Sequence, residues 1–485
     1  MMISVSAIER IPENILARLA SFMRRKSGKR TRPLSPVVQV TRTVAVPVQE
    51  EQQGATIAAD IVVPTQTVVA PTVAAPISLR RSSRDRRSAI SSDYEVYLNE
   101  EHLSLSHMEH EIQYSPVALI VGVTGMAGLG LAEALKKETA LGGPWKVYGA
   151  ARRSKPSWLP SSLVDRYIYF DALNIHDTQE KLSPISNEVT HVFWVAIQVR
   201  DTEEANVTVN SAMLSNVLNV LKMAPASRLS HITLQTGTKH YLGPIFDSAL
   251  ASQLVPRDPP FSEDSPRLPF PNFYYALEDL LKSYSPSLTY SVHRSSIIIG
   301  ASSRSIYNTL LTLAVYASIC KYEGLPFKYP GTRYTWEHFC DMSDARVLAE
   351  QQIWASVSDT AKNQAFNCTN GDVFTWKSFW MVLCEIFDVD FVPFDDAEEF
   401  DWLGEMKEKG RVWDAIVEEK GLYKTKMEEI SCFAALNMVL HFEFQHVCSM
   451  NKSREFGFFG HADTLKSVRM WVERLRDMNI IPKEG

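Results

Sequence analysis

The sequence predicts an α/β fold, a doubly wound parallel sheet followed by a mainly helical C-terminal cap. From Ser115 onward, apolar runs of strand length alternate with helical patterns, and parallel strands need such long crossovers between them. A glycine-rich turn joins the first strand to the first helix, as expected of doubly wound folds that bind nucleotides. From about Tyr322 the alternation weakens and aromatic residues become frequent, which favours helices packed over the sheet.

Six strands and the helices between them follow in chain order. The predicted strands are 117–121, 146–150, 167–170, 191–195, 230–235 and 289–293, and the clearest helical patterns are 127–137, 203–222 and the segment after Asn272. The apolar stretch 306–320 is interrupted by Tyr307, Asn308 and Ser318. We therefore predict a buried core helix there and no membrane span.

Composition limits the classes of function. The chain has 485 residues, a formal net charge of −6 and 45% hydrophobic residues, which fits an enzyme and argues against a nucleic-acid partner. Its six cysteines are widely spaced and form no CxxC pair, so we expect no metal site and reduced thiols in a cytoplasmic protein. A homodimer is compatible with these features.

Residues 1–112 differ from the rest of the chain. The stretch 37–77 is rich in Val, Ala, Thr, Pro and Gln and has no sustained period. We predict a disordered extension that is an organelle-targeting segment, a solvated tail or a misassigned start of translation. The remaining chain is expected to divide into a dinucleotide-binding domain at 113–320 and a substrate-binding cap at 321–485.

The turn after the first strand carries the pattern of a phosphate-binding loop. Gly122 and Gly125 would allow a tight turn and close approach of the backbone to a pyrophosphate, and Gly128 would let the helix pack on the strand. Arg152 and Arg153, rather than an acidic residue, stand just after the second strand. Because guanidinium groups suit a ribose 2'-phosphate in charge and geometry, we predict a Rossmann fold that binds NADP(H).

The other predicted cofactor contacts lie at the carboxyl ends of the strands. Asp171, after the third strand, could accept a hydrogen bond from the adenine amino group or could cap a loop, and both alternatives stay open. The complete predicted set is Gly122, Thr124, Gly125, Met126, Ala127, Gly128, Ala151, Arg152, Arg153, Asp171, Ala172, Val195, Ala196, Gln198, Lys239 and Tyr274.

The Tyr-x-x-x-Lys pattern of short-chain dehydrogenases is missing. Four residues after Tyr274 and Tyr275 stand Glu278 and Asp279, but Lys239 occurs just past the fifth strand. The carboxyl ends of strands five and six flank the nicotinamide in this fold, so Lys239 could approach Tyr274 from another element. Tyr275 is expected to serve packing, because adjacent helical side chains point about 100° apart.

Several spaced motifs resemble one family, the plant progesterone 5β-reductase and iridoid synthase group, an atypical branch of the extended short-chain dehydrogenases. They are ALIVGVTGMAG (118–128), GGPWKVYG (142–149), LQTGTKHY (234–241), NFYY (272–275), LED (277–279), SVHR (291–294), NGDVF (370–374) and MNKS (450–453). The resemblance covers about 117–482. It implies 1,4-reduction of an enone or enal, with hydride passing from NADPH to the β-carbon and with Lys239 and Tyr274 as catalytic residues.

Two departures from the family pattern bear on the substrate. Ile197 stands where the family has a pocket tryptophan, so a wider pocket lined by Ile197, Ile245 and Phe246 is expected. Ser295 replaces a family proline and is expected to loosen a loop beside the nicotinamide. These departures leave two alternatives to enone reduction, a catalytically weak NADP-binding protein and an extended dehydrogenase that acts on another carbonyl substrate.

Overall fold

A computed structural model describes residues 115–483 except 246, 248, 249, 251–256, 398 and 399. The extension predicted at 1–112 and the pocket residue Phe246 therefore lie outside the described residues. The strands are β1 Val117–Val121, β2 Lys146–Ala151, β3 Arg166–Tyr169, β4 His191–Trp194, β5 His231–Gly237, β6 Thr289–Ser295, β7 Ile297–Ile299, β8 Phe339–Cys340, β9 Met342–Asp344, β10 Gln364–Cys368 and β11 Phe374–Thr375.

The α-helices are α1 Met126–Leu135, α2 Ile175–Leu182, α3 Glu203–Lys222, α4 Lys239–Leu242, α5 Phe273–Ser283, α6 Thr309–Glu323, α7 Arg333–Glu337, α8 Ala345–Val357, α9 Trp376–Phe387, α10 Trp402–Lys407, α11 Gly410–Glu419, α12 Met427–Ile430, α13 Phe433–Val439, α14 Asn451–Glu455 and α15 Thr464–Asp477. Short 3₁₀ turns lie at Ser161–Leu163, Ser183–Ile185 and Asp359–Ala361.

Seven strands form one parallel sheet in the order β3-β2-β1-β4-β5-β6-β10. The strand order reverses between β1 and β4, which makes their carboxyl ends the crevice where ligands bind in doubly wound folds. The six predicted strands are present within about two residues of their expected ends. The fold-class prediction is confirmed, but the seventh strand, Gln364–Cys368, was not predicted.

The two faces of the sheet have separate apolar cores. On one face, β1, β4 and β5 pack against α3 and α5 through side chains such as Leu214, Val217 and Leu277. On the other face, α1 and α8 contribute Leu131, Leu135, Ala349 and Ile353. Two helical layers thus hold the carboxyl ends of the strands in fixed register.

The C-terminal region is mainly helical, as predicted, and is built around α6. Every residue of α6 from Thr309 to Cys320 is buried, and aromatic side chains such as Trp380, Trp402 and Trp413 surround it. This observation confirms the core helix predicted at 306–320. Within the part of the chain that the structure describes, no helix is long and apolar enough to cross a membrane. The division at residue 320 stays a prediction.

Candidate active site

The glycine turn between β1 and α1 is built for close backbone approach. Gly122 has a φ of +103°, and a Cβ atom there would lie 3.0 Å from the backbone nitrogen of Ala196. A Cβ atom on Gly128 would overlap the carbonyl oxygen of Gly122. Gly125 is the N-cap of α1 and offers no side-chain cap. Gly125 therefore leaves the first N–H groups of α1 to partners outside the helix.

A serine loop that was not predicted lies against this turn. The Ser305 hydroxyl accepts a hydrogen bond from the Met126 N–H at 3.1 Å, and the Ser302 hydroxyl donates to the Thr124 carbonyl at 2.7 Å. Met126 and Ala127 are each 8% exposed and begin the helix. The loop before α6 therefore lies against the amino end of α1.

The loop after β4 forms the opposite wall. The Val195 N–H donates to the Val121 carbonyl at 3.0 Å, so it continues the pairing of β1 with β4. Gln198 is buried, and its side-chain oxygen accepts a hydrogen bond from Arg200 while its backbone pairs with Asn210. These bonds engage Gln198 within the protein, and its predicted contact with the cofactor stays a prediction. Ile197 is 47% exposed.

Three arginines cluster beside the end of β2. Arg152 and Arg153 are exposed, and Arg153 Nη2 donates to the carbonyl oxygen of Arg304 at 3.1 Å. Desolvation and the charges of Arg304 and Arg152 lower the pKa of Arg153, while Glu429 acts in the opposite direction. Arg304 Nε is buried and has no hydrogen-bond partner among the described residues. Such a cluster of like charges creates a site of positive potential that favours an anion.

Asp171 takes part in the turn that leads into α2. Its Oδ1 accepts a hydrogen bond from the Leu173 N–H at 3.1 Å, and its own N–H donates to Asp177 Oδ2 at 2.7 Å. The loop-capping alternative is thus observed, while the adenine contact stays a prediction. The neighbouring Ala172 carbonyl accepts from Asn216 Nδ2, and Ala151 ends β2.

The two predicted catalytic residues come from different elements that one asparagine joins. Lys239 opens α4 directly after β5, and Tyr274 lies in the first turn of α5. Asn272, the N-cap of α5, accepts from the Tyr274 N–H through Oδ1 and donates to the Lys239 carbonyl through Nδ2, each at 3.0 Å. Lys239 Nζ lies 5.9 Å from the centroid of the Tyr274 ring. The structure therefore brings Lys239 and Tyr274 to one place.

Lys239 forms a buried ion pair. Its Nζ lies 2.5 Å from Oε2 of Glu203, and the two side chains are 5% and 0% exposed. Burial lowers the pKa of Lys239 to about 8, against the charges of Glu203 and Asp247, which favour the ammonium form. Lys239 is thus a buried cation at neutral pH that carboxylates stabilise, and its Nζ lies 4.4 Å from the centroid of the Phe273 ring.

The Tyr274 side chain points toward the carboxyl end of β5. A Cβ atom on Gly237 would lie 3.5 Å from the Tyr274 hydroxyl, in ordinary contact, so this hydroxyl lies beside the last residue of β5. Burial and the charge of Glu203 raise the pKa of Tyr274 above its ordinary value, which keeps the phenol protonated. Tyr275, in contrast, donates to the His240 carbonyl and accepts from the Leu268 N–H, as expected of a structural tyrosine.

The expected loosening at Ser295 is wrong. Ser295 is the last residue of β6 and is 3% exposed. Its carbonyl accepts from the Thr238 N–H at 3.0 Å, and its hydroxyl donates to the Thr236 carbonyl at 3.1 Å. The strand pairing and the serine hydroxyl hold this segment, so a proline ring is not needed to fix it.

Aromatic side chains form an apolar wall beyond Lys239. Ile245 packs with Tyr241 and Phe261 and with Phe444 from the C-terminal region. His446 Nε2 lies 2.9 Å from the Thr238 hydroxyl, one residue before Lys239. A shallow surface depression lies beside this wall and is lined by Tyr334, Thr335, His338, Phe339, Cys340, Trp376, Val439, Phe442, Phe444 and His446.

Sequence reasoning missed four residues of this site. Asn272 could have been found, because asparagine before a helical apolar pattern is an N-cap signal. Glu203 gave no such signal, since a glutamate in a first turn is usually a solvated residue that complements the helix dipole. Arg304 and Ser305 meet the site only through tertiary packing from a distant loop.

Comparison with known proteins agrees with this geometry. Residues 173–482 match the model of the PRISE-like Rossmann-fold domain. An (S)-8-oxocitronellyl enol synthase of Camptotheca acuminata is 47% identical over 370 residues, which are 76% of this chain and 93% of that protein. A 3-oxo-Δ(4,5)-steroid 5β-reductase of Arabidopsis thaliana is 43% identical over 382 residues, 78% of this chain and 96% of that protein.

Among solved structures, the UDP-glucose 4-epimerase of Thermotoga maritima is similar in fold. It superposes with a TM-score of 0.51 at 14% identity, over 74% of this chain and 99% of that chain. At this identity the likeness shows the extended Rossmann fold alone.

Proposed function

The chain belongs to the PRISE-like Rossmann-fold family, and from that premise we propose that it reduces the carbon–carbon double bond of an enone or enal with NADPH. The family relatives are named as an enol synthase and a steroid 5β-reductase, so the protein is an oxidoreductase that uses a nicotinamide cofactor. The finer parts of the proposal are the cofactor phosphate, the substrate class and the roles of individual residues.

The observation that carries the proposal is the meeting of Lys239 and Tyr274 where β5 and β6 end. Asn272 joins the two residues through its side chain. The pair lies on the carboxyl side of the sheet, as the glycine turn does, and in this fold a bound dinucleotide spans that edge. The glycine turn on this side of the sheet thus suits a pyrophosphate, and the place where Lys239 and Tyr274 meet suits a reacting carbonyl group.

The residues present fit NADP(H). The cradle at Gly122 and Gly128 has no room for a side chain, and the amide end of α1 favours a phosphate. The guanidinium groups of Arg152, Arg153 and Arg304 suit a 2'-phosphate, and the buried Nε of Arg304, which no described residue accepts from, has a donor to offer it. We therefore assign the cofactor as NADPH rather than NADH.

In the proposed reaction the protein stabilises the charge that develops on the substrate. When bound, NADPH supplies the hydride that the β-carbon of the substrate accepts. Negative charge then grows on the carbonyl oxygen, and the Tyr274 hydroxyl would donate a hydrogen bond to it, as donors of an oxyanion hole do. The Lys239 ammonium would add a fixed positive charge in a buried setting, where it is poorly screened. The resulting enolate would take a proton from solvent water at the α-carbon.

The apolar wall suggests what the substrate looks like. Ile245, Phe442 and Phe444 offer a hydrophobic surface next to α4, which suits a terpenoid or steroid skeleton with one conjugated carbonyl group. Ile197, exposed at the cofactor edge, would leave more space than a tryptophan and would admit a broader range of enones. A cytoplasmic location and a homodimer complete the proposal.

NADPH oxidation in the presence of 2-cyclohexen-1-one tests the function. We expect turnover by the wild-type protein, and Tyr274→Phe should lower kcat by about 10²–10³ because one donor to the oxyanion is lost. The Kd for NADPH should change far less than kcat. The matched control is Tyr284→Phe, at the other end of α5, whose hydroxyl contacts Asn219.

The outcomes separate the alternatives. Full activity of Tyr274→Phe would refute the role of the tyrosine. Tight NADPH binding without turnover across a panel of enones and enals would instead favour a catalytically weak cofactor-binding protein. Activity on alcohols or saturated carbonyl compounds, but not on enones, would favour an extended dehydrogenase of another specificity.

A further inference from the structure

Glu203, the first residue of α3, contacts both elements that carry the proposed catalytic residues. Its Oε2 lies 2.5 Å from Lys239 Nζ, and its Oε1 accepts a hydrogen bond from the Phe273 N–H at 2.7 Å. The Glu203 side chain is 0% exposed. Asn206, one turn further along α3, donates to Oε2 at 3.5 Å. A single buried carboxylate therefore bridges α4 and the amino end of α5.

A buried ion pair of this kind adds little to the net stability of the folded protein. Removing two charges from water costs about as much as their attraction returns, and apolar residues of similar size often serve a core equally well. Burial of Glu203 directly behind Lys239 is better explained by what it does to its neighbours. Those neighbours are the two residues on which the proposed reaction depends.

We infer that Glu203 is a positioning residue that keeps Lys239 in its cationic form and fixes the first turn of α5 so that Tyr274 is held ready to donate. The inference rests on the proposed function, because it assigns Glu203 a part in the same reaction. Glu203 acts through Lys239 and α5 and does not itself need to touch the substrate.

The charge state of Lys239 depends on the groups that face it. They are Glu203 from α3, Asp247 from the segment after α4, and Phe273 and Tyr274 from α5. Burial alone would favour the neutral amine, and the two carboxylates oppose it. The same Glu203 charge raises the pKa of Tyr274. Glu203 thus favours both protonation states that the reaction needs, a charged lysine and a neutral tyrosine.

The geometric part concerns the amino end of α5. The first N–H groups of a helix have no partners within the helix, and here the Phe273 N–H is bound by Glu203 while the Tyr274 N–H is bound by Asn272. A carboxylate at this position also complements the helix dipole. The backbone that carries Tyr274 is therefore fixed from two sides.

The test is the pH profile of kcat for Glu203→Gln with NADPH and 2-cyclohexen-1-one. In the wild-type protein the alkaline limb should lie near the Lys239 pKa of about 8. Loss of an opposite charge at this distance lowers a lysine pKa by about 1–3 units. For a shift of about two units, the protonated fraction at pH 8 falls from about a half to about 1%. We therefore expect about a fifty-fold loss of kcat at pH 8 but only about a two-fold loss at pH 6.

Two further variants separate this role from a structural one. Glu204→Gln removes the adjacent, exposed carboxylate and should leave kcat and the alkaline limb unchanged. Glu203→Asp retains the charge and should keep the limb closer to its wild-type position than Glu203→Gln does. An unchanged alkaline limb in Glu203→Gln, whether kcat falls uniformly or not at all, would overturn the inference.

A second readout keeps the inference separate from the proposed function. If the wild-type protein reduced no enone, the proposed function would fail, yet the Lys239 titration could still be followed by NMR of the ¹³C-labelled lysine side chain. Lys239→Arg would assign the resonance. We expect Glu203→Gln to lower the titration midpoint, and an unmoved midpoint would overturn the inference regardless of activity.

Discussion

The arginine cluster gives a prediction about cofactor choice. Replacing Arg304 by alanine removes a guanidinium whose buried Nε has no partner among the described residues. If it binds the 2'-phosphate, it contributes a charge-assisted hydrogen bond, which is worth about 1.5–3 kcal/mol. Since each 1.4 kcal/mol is a factor of ten, the Kd for NADPH should rise by about 10–150-fold. Arg153→Ala should lie at the low end, because Arg153 is exposed and one of its donors already binds the Arg304 carbonyl.

The assay is titration of cofactor fluorescence with NADPH and with NADH in parallel. NADH lacks the 2'-phosphate, so its Kd should change little in either variant, and raising the salt concentration should weaken NADPH binding more than NADH binding. Arg166→Ala serves as the control. Arg166 is exposed at the amino end of β3, away from the carboxyl ends of the strands where the arginine cluster lies. Equal losses for both cofactors would refute the assignment of the 2'-phosphate site.

Two further predictions concern the turn and the core. Gly128→Ala should abolish tight NADPH binding and lower the melting temperature, because its Cβ would overlap the Gly122 carbonyl; Gly410→Ala, with open space around it, should do neither. His293 is buried beside Gln351, and burial lowers its pKa to about 4 from 6.5. As the pH falls, His293 is protonated near pH 6.5 in the unfolded chain but only near pH 4 in the folded protein. The histidine therefore lowers the free energy of unfolding progressively between these two pH values. In urea unfolding, His293→Asn should reduce the slope of the free energy of unfolding against pH by up to about 1.4 kcal/mol per pH unit. An unchanged slope would contradict the assigned burial effect.

Local patterns in the sequence were enough to predict most of the sheet. β1 and its turn combine an apolar run with glycines at Gly122, Gly125 and Gly128, and both signals lie within a dozen residues. The edge strand β10 escaped prediction because the polar residues Gln364 and Asn367 interrupt its apolar pattern. Tertiary pairing with β6, not local propensity, makes it a strand.

Residues of the candidate site likewise divide into those that a local sequence pattern predicts and those that only tertiary packing brings to the site. Lys239 and Tyr274 could be proposed from the sequence because each follows a predicted strand or opens a predicted helix. Glu203 and Arg304 could not, since burial beside a partner tens of residues away leaves no local pattern. The mistaken expectation at Ser295 has the same cause, because the hydrogen bonds that hold it come from β5 and the segment that follows it.

The most direct test of enone reduction is to locate the transferred hydride. The wild-type protein would be given NADPH deuterated at C4 of the nicotinamide together with 2-cyclohexen-1-one, and the product would be analysed by NMR. We expect cyclohexanone with deuterium at the β-carbon, because the roles proposed for Tyr274 and Lys239, which lie close together, are to stabilise an enolate. Deuterium on the carbinol carbon of an allylic alcohol would show direct carbonyl reduction and would contradict the proposed function.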